Sequence, residues 1–497
     1  MAARRSFVLF CALCFGFPST GFGQFAELSS KVPTGANAIV AMDVAALAHT
    51  PLAQEQGWTQ KLQAAYASRA VFLPPEAERL LMASQVLPNA DFQQNWEVAV
   101  MTLTEPLSLQ TVARAEGGYL DQIDGKDVVW TPSDAYFVAL NDNMLGILAP
   151  AQRQTVARWI EESAKNRGDT LSSYLQLSLG KVTDKTQIVL AIDLNNVVTP
   201  HRVEDRLKQS ETLAKSSLKL SDTVALIQSL QGATIEVSVG DTARARARID
   251  FGLPVKMTDV IAKRLVLEAL EHLGMELADI GNYRFSTLSR SILAEGELSP
   301  TGLRRLLSVI DIPTTKFSEL KEETEDTQTP SAGDMAENSQ VYFKSVVALL
   351  DDLRGDRQKQ DTRGGMDGLW MERYARKIDR LPILHVDEDL LAWGSQTAET
   401  LRQMATARRG AGLSIGVQQS ALRTGAYTGG YSNYSYGYGG AGYVGVSSAT
   451  SNEKDRNQIK RTAQNRATAT KVEGWRLIEG ATADIRRTMT HRYGVEF

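Results

Sequence analysis

Between residues 31 and 311 the apolar positions predict β-strands joined by helices and by tight turns. Residues 39–44 and 189–194 form short continuous apolar runs, which indicate buried strands. The Asp-Gly pair at 124–125 and the Gly-Asp pair at 240–241 predict hairpins. Hairpins mixed with helical connections favour an α+β fold, in which we expect a twisted sheet with helices on one face.

A weak internal repeat predicts two modules. The runs at 39–44 and 189–194 are followed by Thr50-Pro51 and Thr199-Pro200, each a helix start with a capping hydroxyl and proline in the first turn. The alternating segment at 96–100 also resembles the one at 235–239. We therefore predict α+β modules over residues 31–165 and 183–311, with a chance match of two apolar strands as the alternative.

The regular pattern of apolar residues ends after the second module. Residues 312–338 are rich in Thr, Pro, Ser and acids, and they are predicted to be a disordered acidic linker. Residues 339–497 are predicted to be mainly helical. The amphipathic segments there are 341–353, a helix marked by Trp370, Tyr374, Ile378 and Leu381, a helix capped by Asp387 that runs to about Ala407, and a long C-terminal helix lined by Val472, Trp475, Ile478, Ile485 and Met489.

A Gly/Tyr-rich segment at 425–445 interrupts this helical region and is predicted to be a disordered loop. The alternative is a sticky aromatic surface for glycans or self-association.

The first 23 residues predict an export signal. Arg4-Arg5 precede an apolar run at 7–17 and a stretch of small residues, and we place the cleavage after Gly23. The two arginines fit either an ordinary charged tip or a twin-arginine signal. No other run is long and apolar enough to span a bilayer, so we expect an exported chain without a transmembrane segment after cleavage, in the periplasm, the cell envelope or the medium.

Composition narrows the chemistry of the mature chain. Both cysteines, Cys11 and Cys14, lie in the signal, so disulfides, thiolate zinc sites and cysteine nucleophiles are excluded after cleavage. The net charge is −4, and it becomes −6 without Arg4 and Arg5, because 52 basic residues then face 58 acidic ones. This balance gives no reason to expect nucleic acid as a partner.

Three sets of charged residues are candidate sites. Arg244, Arg246 and Arg248 alternate with alanines on a predicted strand, so they share one face and could bind an anionic polymer of the envelope. If the turn spans 240–242, Arg246 lies opposite Glu236 and Arg244 opposite Ser238, and a cross-strand ion pair on a solvated face is the default interpretation.

The other two sets have structural explanations that we favour. Asp43 and Asp193 end matching strands and could form a carboxylate pair, but turn acids that accept backbone hydrogen bonds explain them better. The acids of segment 385–389 could bind Ca²⁺ or Mg²⁺, but acids in a first helical turn explain them better. We assign no catalytic residue, cofactor or metal.

Several segments of the sequence resemble a group of exported proteins of planctomycete bacteria that have no assigned activity. They are residues 32–43, 96–99, 115–120, 374–384 and 475–497. The resemblance implies bacterial export and no catalytic residue.

The leading hypothesis is a non-enzymatic binding or scaffolding protein of the periplasm or envelope with an unknown ligand. The alternative is a carboxylate-dependent hydrolase of an extracellular glycan or envelope polymer. Self-association through the C-terminal helices is a third possibility.

Overall fold

The computed structural model describes residues 22–497 except 69–72, 88–92, 107, 117, 166–169, 198, 274, 276, 308–331, 355–367, 384 and 424–451. Its strands form one antiparallel sheet of twelve strands in the order β11-β12-β10-β9-β8-β1-β2-β3-β7-β6-β5-β4. The strands are β1 (Ala38–Asp43), β2 (Ala77–Leu87), β3 (Gln93–Leu103), β4 (Tyr119–Ile123), β5 (Lys126–Thr131), β6 (Ala135–Asn141), β7 (Met144–Ala149), β8 (Ile188–Asp193), β9 (Leu230–Val239), β10 (Ala243–Phe251), β11 (Arg284–Thr287) and β12 (Ser291–Glu297).

Helices precede, connect and follow these strands, which makes the fold α+β as predicted. They are α1 (Phe22–Ser29), α2 (Val44–Ala48), α3 (Pro51–Glu55), α4 (Trp58–Ser68), α5 (Leu109–Ala115), α6 (Arg153–Ala164), α7 (Ser173–Leu179), α8 (Pro200–Lys208), α9 (Glu211–Ala214), α10 (Leu220–Gln228), α11 (Asp259–Leu273), α12 (Pro300–Leu307), α13 (Ala332–Arg354), α14 (Gly368–Asp379), α15 (Glu388–Arg423) and α16 (Asn452–Tyr493). A short 3₁₀ helix, Ala278–Asn282, precedes β11.

The two halves of the sheet meet where β1 pairs with β8, with Val40 opposite Leu190. On each side the next two strands outward follow in chain order, β2 and β3 on one side and β9 and β10 on the other. The predicted correspondence between residues 96–100 and 235–239 is wrong in this topology. Residues 96–100 lie in β3, whereas 235–239 lie in β9, which takes the place of β2.

Helices cover both faces of the sheet, so the prediction of helices on one face is wrong. Ile39 and Ala41 of β1 pack with α1, α6 and α7 on one side, which we call the N-terminal face. Val40 and Met42 point to the other side, the C-terminal face, where α11, α12 and the last four helices pack. The central strands are apolar in continuous runs because both of their sides are buried.

The C-terminal helices pack on the C-terminal face through a continuous apolar core. Trp370 and Tyr374 of α14 are each 1% exposed, as the amphipathic pattern predicts. In the last helix Trp475, Ile478 and Met489 are buried as well. Within the described residues, no helix is both long and apolar enough to cross a membrane.

Two predicted boundaries and one predicted core position in this region need correction. Residues 312–331 of the predicted linker lie outside the described residues. Residues 332–338 were predicted to belong to the linker, but they form the start of α13. The helix predicted to end near Ala407 continues to Arg423. Val472, predicted to line the core, is 62% exposed. Residues 1–21 of the predicted signal and the predicted loop 425–445 lie outside the described residues.

A buried charge cluster joins the C-terminal helices to the first half of the sheet. Glu97 of β3 is 1% exposed and points to the C-terminal face. Its carboxylate accepts a hydrogen bond of 2.7 Å from Arg380 and lies 3.7 Å from the guanidinium of Arg376. On the second half of the sheet, Arg304 of α12 pairs with Asp352 of α13. These contacts fix α13 and α14 against both halves.

Candidate functional site: the open polar face

The N-terminal face is covered over its centre but open beyond β9. Tyr174 of α7 reaches β9, where its hydroxyl lies 3.1 Å from Thr234 Oγ1 and 3.1 Å from Asp250 Oδ2. Gly232 permits this approach, since a Cβ there would lie 2.5 Å from the Tyr174 ring. Burial raises the pKa of the Tyr174 hydroxyl, which donates its proton to the Asp250 carboxylate in a hydrogen bond. α7 thus closes the covered part of the face.

The outer strands of the second half stay uncovered on this side because the helix that follows them packs elsewhere. In the first half, α6 follows β7 and covers the N-terminal face through Val156 and Trp159. In the second half, α12 follows β12 but buries Leu303 and Leu306 on the C-terminal face. Among the described residues this leaves β10, β12 and β11 with an exposed polar side, which we call the open polar face. The face also includes the adjoining end of β9, and Ser291 is buried within it. The residues whose side chains lie on this side are Ser238, Glu236, Arg244, Arg246, Arg248, Asp250, Glu297, Glu295, Leu293, Ser291, Arg284 and Ser286.

The three predicted arginines lie together on this face. Ala243 and Ala245 are buried on the opposite side of β10, which turns the arginines toward solvent. The predicted register is confirmed, with Arg244 opposite Ser238 and Arg246 opposite Glu236.

The default interpretation, a cross-strand ion pair on a solvated face, is confirmed, but the partner lies on a different strand. Arg246 pairs with Glu295 of β12 rather than with Glu236 of β9. The carboxylate of Glu236 instead lies 3.0 Å from Lys181 Nζ, just beyond α7. Positive and negative side chains therefore alternate across the strands, which keeps this row of the face close to neutral.

The remaining two arginines have unequal surroundings. Arg248 donates to Asp250 at 2.7 Å and to Ser291 Oγ at 3.1 Å. Arg244 lies between Ser238 and Glu297, and no carboxylate of the described residues comes within ion-pairing distance of it. Arg244 and Arg284 are thus the two guanidinium groups of this face that form no ion pair with the described residues, and Arg244 is the one that lies beside two further arginines on its strand.

Glu236 was predicted to lie on this face, but Asp250, Glu295, Glu297 and Lys181 were not. Glu295 and Glu297 alternate with Ala294 and Gly296 on β12, as the arginines alternate with alanines on β10. That alternation indicates an exposed polar side on β12. It does not indicate that β12 pairs with β10, because α11 and β11 separate the two strands in the sequence while β12 lies directly beside β10 in the sheet.

Asp43 and Asp193 do not form a carboxylate pair. The β1–β8 register places Asp43 beside Gln187, six residues from Asp193 along β8. At about 3.4 Å per residue the two acids are about 20 Å apart, at opposite ends of the two paired central strands. Each accepts a nearby backbone hydrogen bond, Asp43 from Ala46 at 2.8 Å and Asp193 from Asn195 at 2.9 Å. The structural explanation of both acids is confirmed.

The acids of segment 385–389 hold the C-terminus in place. Asp387 accepts bonds of 2.8 and 2.6 Å from Arg492 and one of 2.7 Å from Tyr493, and it caps α15 by accepting from the backbone of Asp389 at 2.9 Å. Burial disfavours the Asp387 carboxylate, but these hydrogen bonds outweigh it and lower its pKa. No three His, Cys, Asp or Glu side chains of the described residues meet as metal ligands.

Comparisons with known proteins assign no family. No family model matches the chain, and no curated protein matches it. Two solved structures of TP0453 are similar to part of it. Crystal form I has a TM-score of 0.34 and 10% identity, and the match covers 56% of this chain and 95% of that one. Crystal form III has a TM-score of 0.33 and 12% identity, with 56% and 96% covered. At these values the likeness carries no argument about function.

Proposed function

We propose that this is an exported, non-enzymatic binding or scaffolding protein of the cell envelope, and that its ligand is an anionic polymer bound on the open polar face. The observation that carries the proposal is the position of Arg244, an exposed guanidinium without a carboxylate partner in the described chain, beside two further arginines on the same strand.

The ion pair of Arg246 is compatible with this role because it is exposed. The side chains of Arg246 and Glu295 are 57% and 41% exposed. Exposed pairs contribute about 0–1 kcal/mol, so a phosphate or carboxylate group can displace Glu295 at little cost. Arginine suits this exchange because it binds such groups through two parallel hydrogen bonds. Arg248 is 44% exposed, but its partner Asp250 is only 16% exposed and also accepts from Tyr174 and Ser291, so we expect Arg248 to keep this partner.

The overall charge of the protein makes nonspecific binding of a polyanion unfavourable. The mature chain carries the predicted net charge of −6. Long-range repulsion therefore has to be overcome by direct contacts with the arginines of the open polar face, and salt should weaken the binding by screening them. The hydrolase alternative receives no support from Asp43 and Asp193, since a glycan-cleaving pair lies within about 10 Å.

Retention on heparin-agarose tests the proposal. We expect the mature chain to elute at a higher salt concentration than the triple variant Arg244→Ala, Arg246→Ala, Arg248→Ala. The matched control is the triple variant Arg476→Ala, Arg486→Ala, Arg487→Ala, which removes the same charge from exposed positions of α16.

The control should elute with the wild-type protein. Equal loss of retention in the two triple variants, or no loss in either, contradicts the proposed site. Fractionation of native cells tests export separately, because recovery of the protein in the cytoplasm would contradict the envelope location whatever it binds.

A further inference from the structure

At the opposite end of the sheet, three aromatic side chains form a row across the N-terminal face. Tyr119 of β4 lies opposite Trp130 of β5, and Trp130 lies opposite Tyr136 of β6. Their exposure increases toward the sheet edge, from 4% at Tyr136 through a half-buried Trp130 to 54% at Tyr119. A large aromatic ring thus lies open on the last strand of the sheet.

The Tyr119 ring is held in place rather than free to turn. It stacks on Trp130 with ring centroids 5.2 Å apart and an interplanar angle of 29°. Gly118 lets β4 approach closely at this point, since a Cβ there would lie 2.0 Å from the carbonyl oxygen of Trp130. One side of the Tyr119 ring is therefore supported by the indole, and the other is presented to solvent.

Polar groups flank the ring on the same face. Asp121 lies two residues further along β4, so its side chain shares the face of Tyr119. Arg153 of α6 donates to the Asp121 carboxylate and, at 2.7 Å, to the carbonyl oxygen of Gln122. The Arg153 side chain is 56% exposed, which leaves N–H groups available to a ligand.

We propose that Tyr119, Asp121 and Arg153 form a binding site for a neutral saccharide chain. An aromatic ring offers a flat apolar surface to the C–H face of a pyranose, and its electron-rich face attracts the positively polarised C–H groups. The carboxylate and the guanidinium can accept from and donate to hydroxyl groups at the rim of the same sugar. The support of Trp130 lowers the ordering cost of binding, because the ring is already fixed.

The site is independent of the anionic-polymer site proposed above. It lies at the other end of the sheet, and a neutral sugar has no charge for Arg244 to attract. Binding here should therefore be insensitive to salt, whereas retention on heparin should fall with salt. Failure of one proposal leaves the other standing.

The test is titration of the mature chain with cellotetraose and with chitotetraose, followed by calorimetry and by saturation-transfer NMR. We expect at least one of the two to bind, Tyr119→Ala to weaken that binding about tenfold, equivalent to 1.4 kcal/mol, and Tyr119→Phe to retain it. The matched control is Leu120→Ala. Leu120 is 46% exposed but points to the other face, opposite Val129, so this variant should bind like the wild type.

Two results would overturn the proposal. One is that neither tetrasaccharide binds to a wild-type chain whose folding is shown by circular dichroism. The other is equal affinity of the Tyr119→Ala and Leu120→Ala variants. A concentration-dependent dimer that is lost on substitution of Tyr119, without any sugar binding, would show instead that β4 accepts a strand from a second copy.

Discussion

Replacing Glu97 by Gln should weaken the attachment of the C-terminal helices to the sheet and lower the free energy of unfolding more than the substitution of an exposed charge does. Glu97 is 1% exposed, and the side chains of Arg380 and Arg376 are 14% and 25% exposed. The variant keeps the shape of the side chain but leaves two guanidinium groups facing a neutral amide. The effect is therefore electrostatic and not a loss of packing.

The magnitude follows from the burial of the three groups. An ion pair at about 4 Å contributes about 4 kcal/mol of attraction at an effective dielectric constant of about 20. The cost of removing both charges from water offsets much of that gain, and breaking a buried pair by removing one partner costs about 3–5 kcal/mol. Because Arg376 and Arg380 keep some access to water, we expect about 3 kcal/mol for Glu97→Gln.

Urea unfolding at neutral pH, followed by helical circular dichroism and by tryptophan fluorescence, measures this loss. The matched control is Glu161→Gln, which removes a charge from an exposed pair with Lys165, where the side chains are 61% and 47% exposed. The control should change stability by less than about 0.5 kcal/mol, as exposed helical pairs do. A Glu97→Gln variant as stable as the control would refute the role of the buried cluster.

Three further outcomes are expected. The wild type should be more stable than Asp387→Asn by a constant amount above about pH 4, where Asp387 is ionised in both the folded and the unfolded chain. The difference should shrink as the pH falls further, because the folded-state pKa of Asp387 is lowered and its charge is lost only there. A difference that stays unchanged down to pH 2 in acid unfolding would contradict this. Gly118→Ala should shift β4, since its Cβ would meet the Trp130 carbonyl, and faster proteolysis at this edge would reveal it. Phe25→Ala should cost about 3–4 kcal/mol in urea unfolding, as Phe25 is fully buried; a smaller loss than 1 kcal/mol would contradict its place in the core.

The features predicted correctly from the sequence are those set by local chemistry. Apolar runs located β1 and β8, Thr50-Pro51 located the start of α3, and alternation placed the three arginines on one side of β10. The register of the β9–β10 hairpin followed from its turn because the two strands are adjacent in the chain.

The features that were missed depend on contacts between distant segments. The partner of Arg246 is Glu295, 49 residues further on, and no local pattern couples the two. Helices on both faces follow from where α6 and α12 pack, which the amphipathic pattern of each helix does not specify. The aromatic row requires three strands to be in register, although Tyr119, Trp130 and Tyr136 are each visible in the sequence.

If the open polar face binds an anionic polymer, removing its acids should raise the affinity for such a polymer. The affinity of the mature chain for a defined polyphosphate would be measured by calorimetry at low salt, for the wild type and for the double variant Glu295→Gln, Glu297→Gln. These substitutions remove the partner of Arg246 and the acid beside Arg244. We expect the wild type to bind and the variant to bind about tenfold more tightly. Absence of binding, or an affinity that the double variant leaves unchanged, would contradict the proposed binding site.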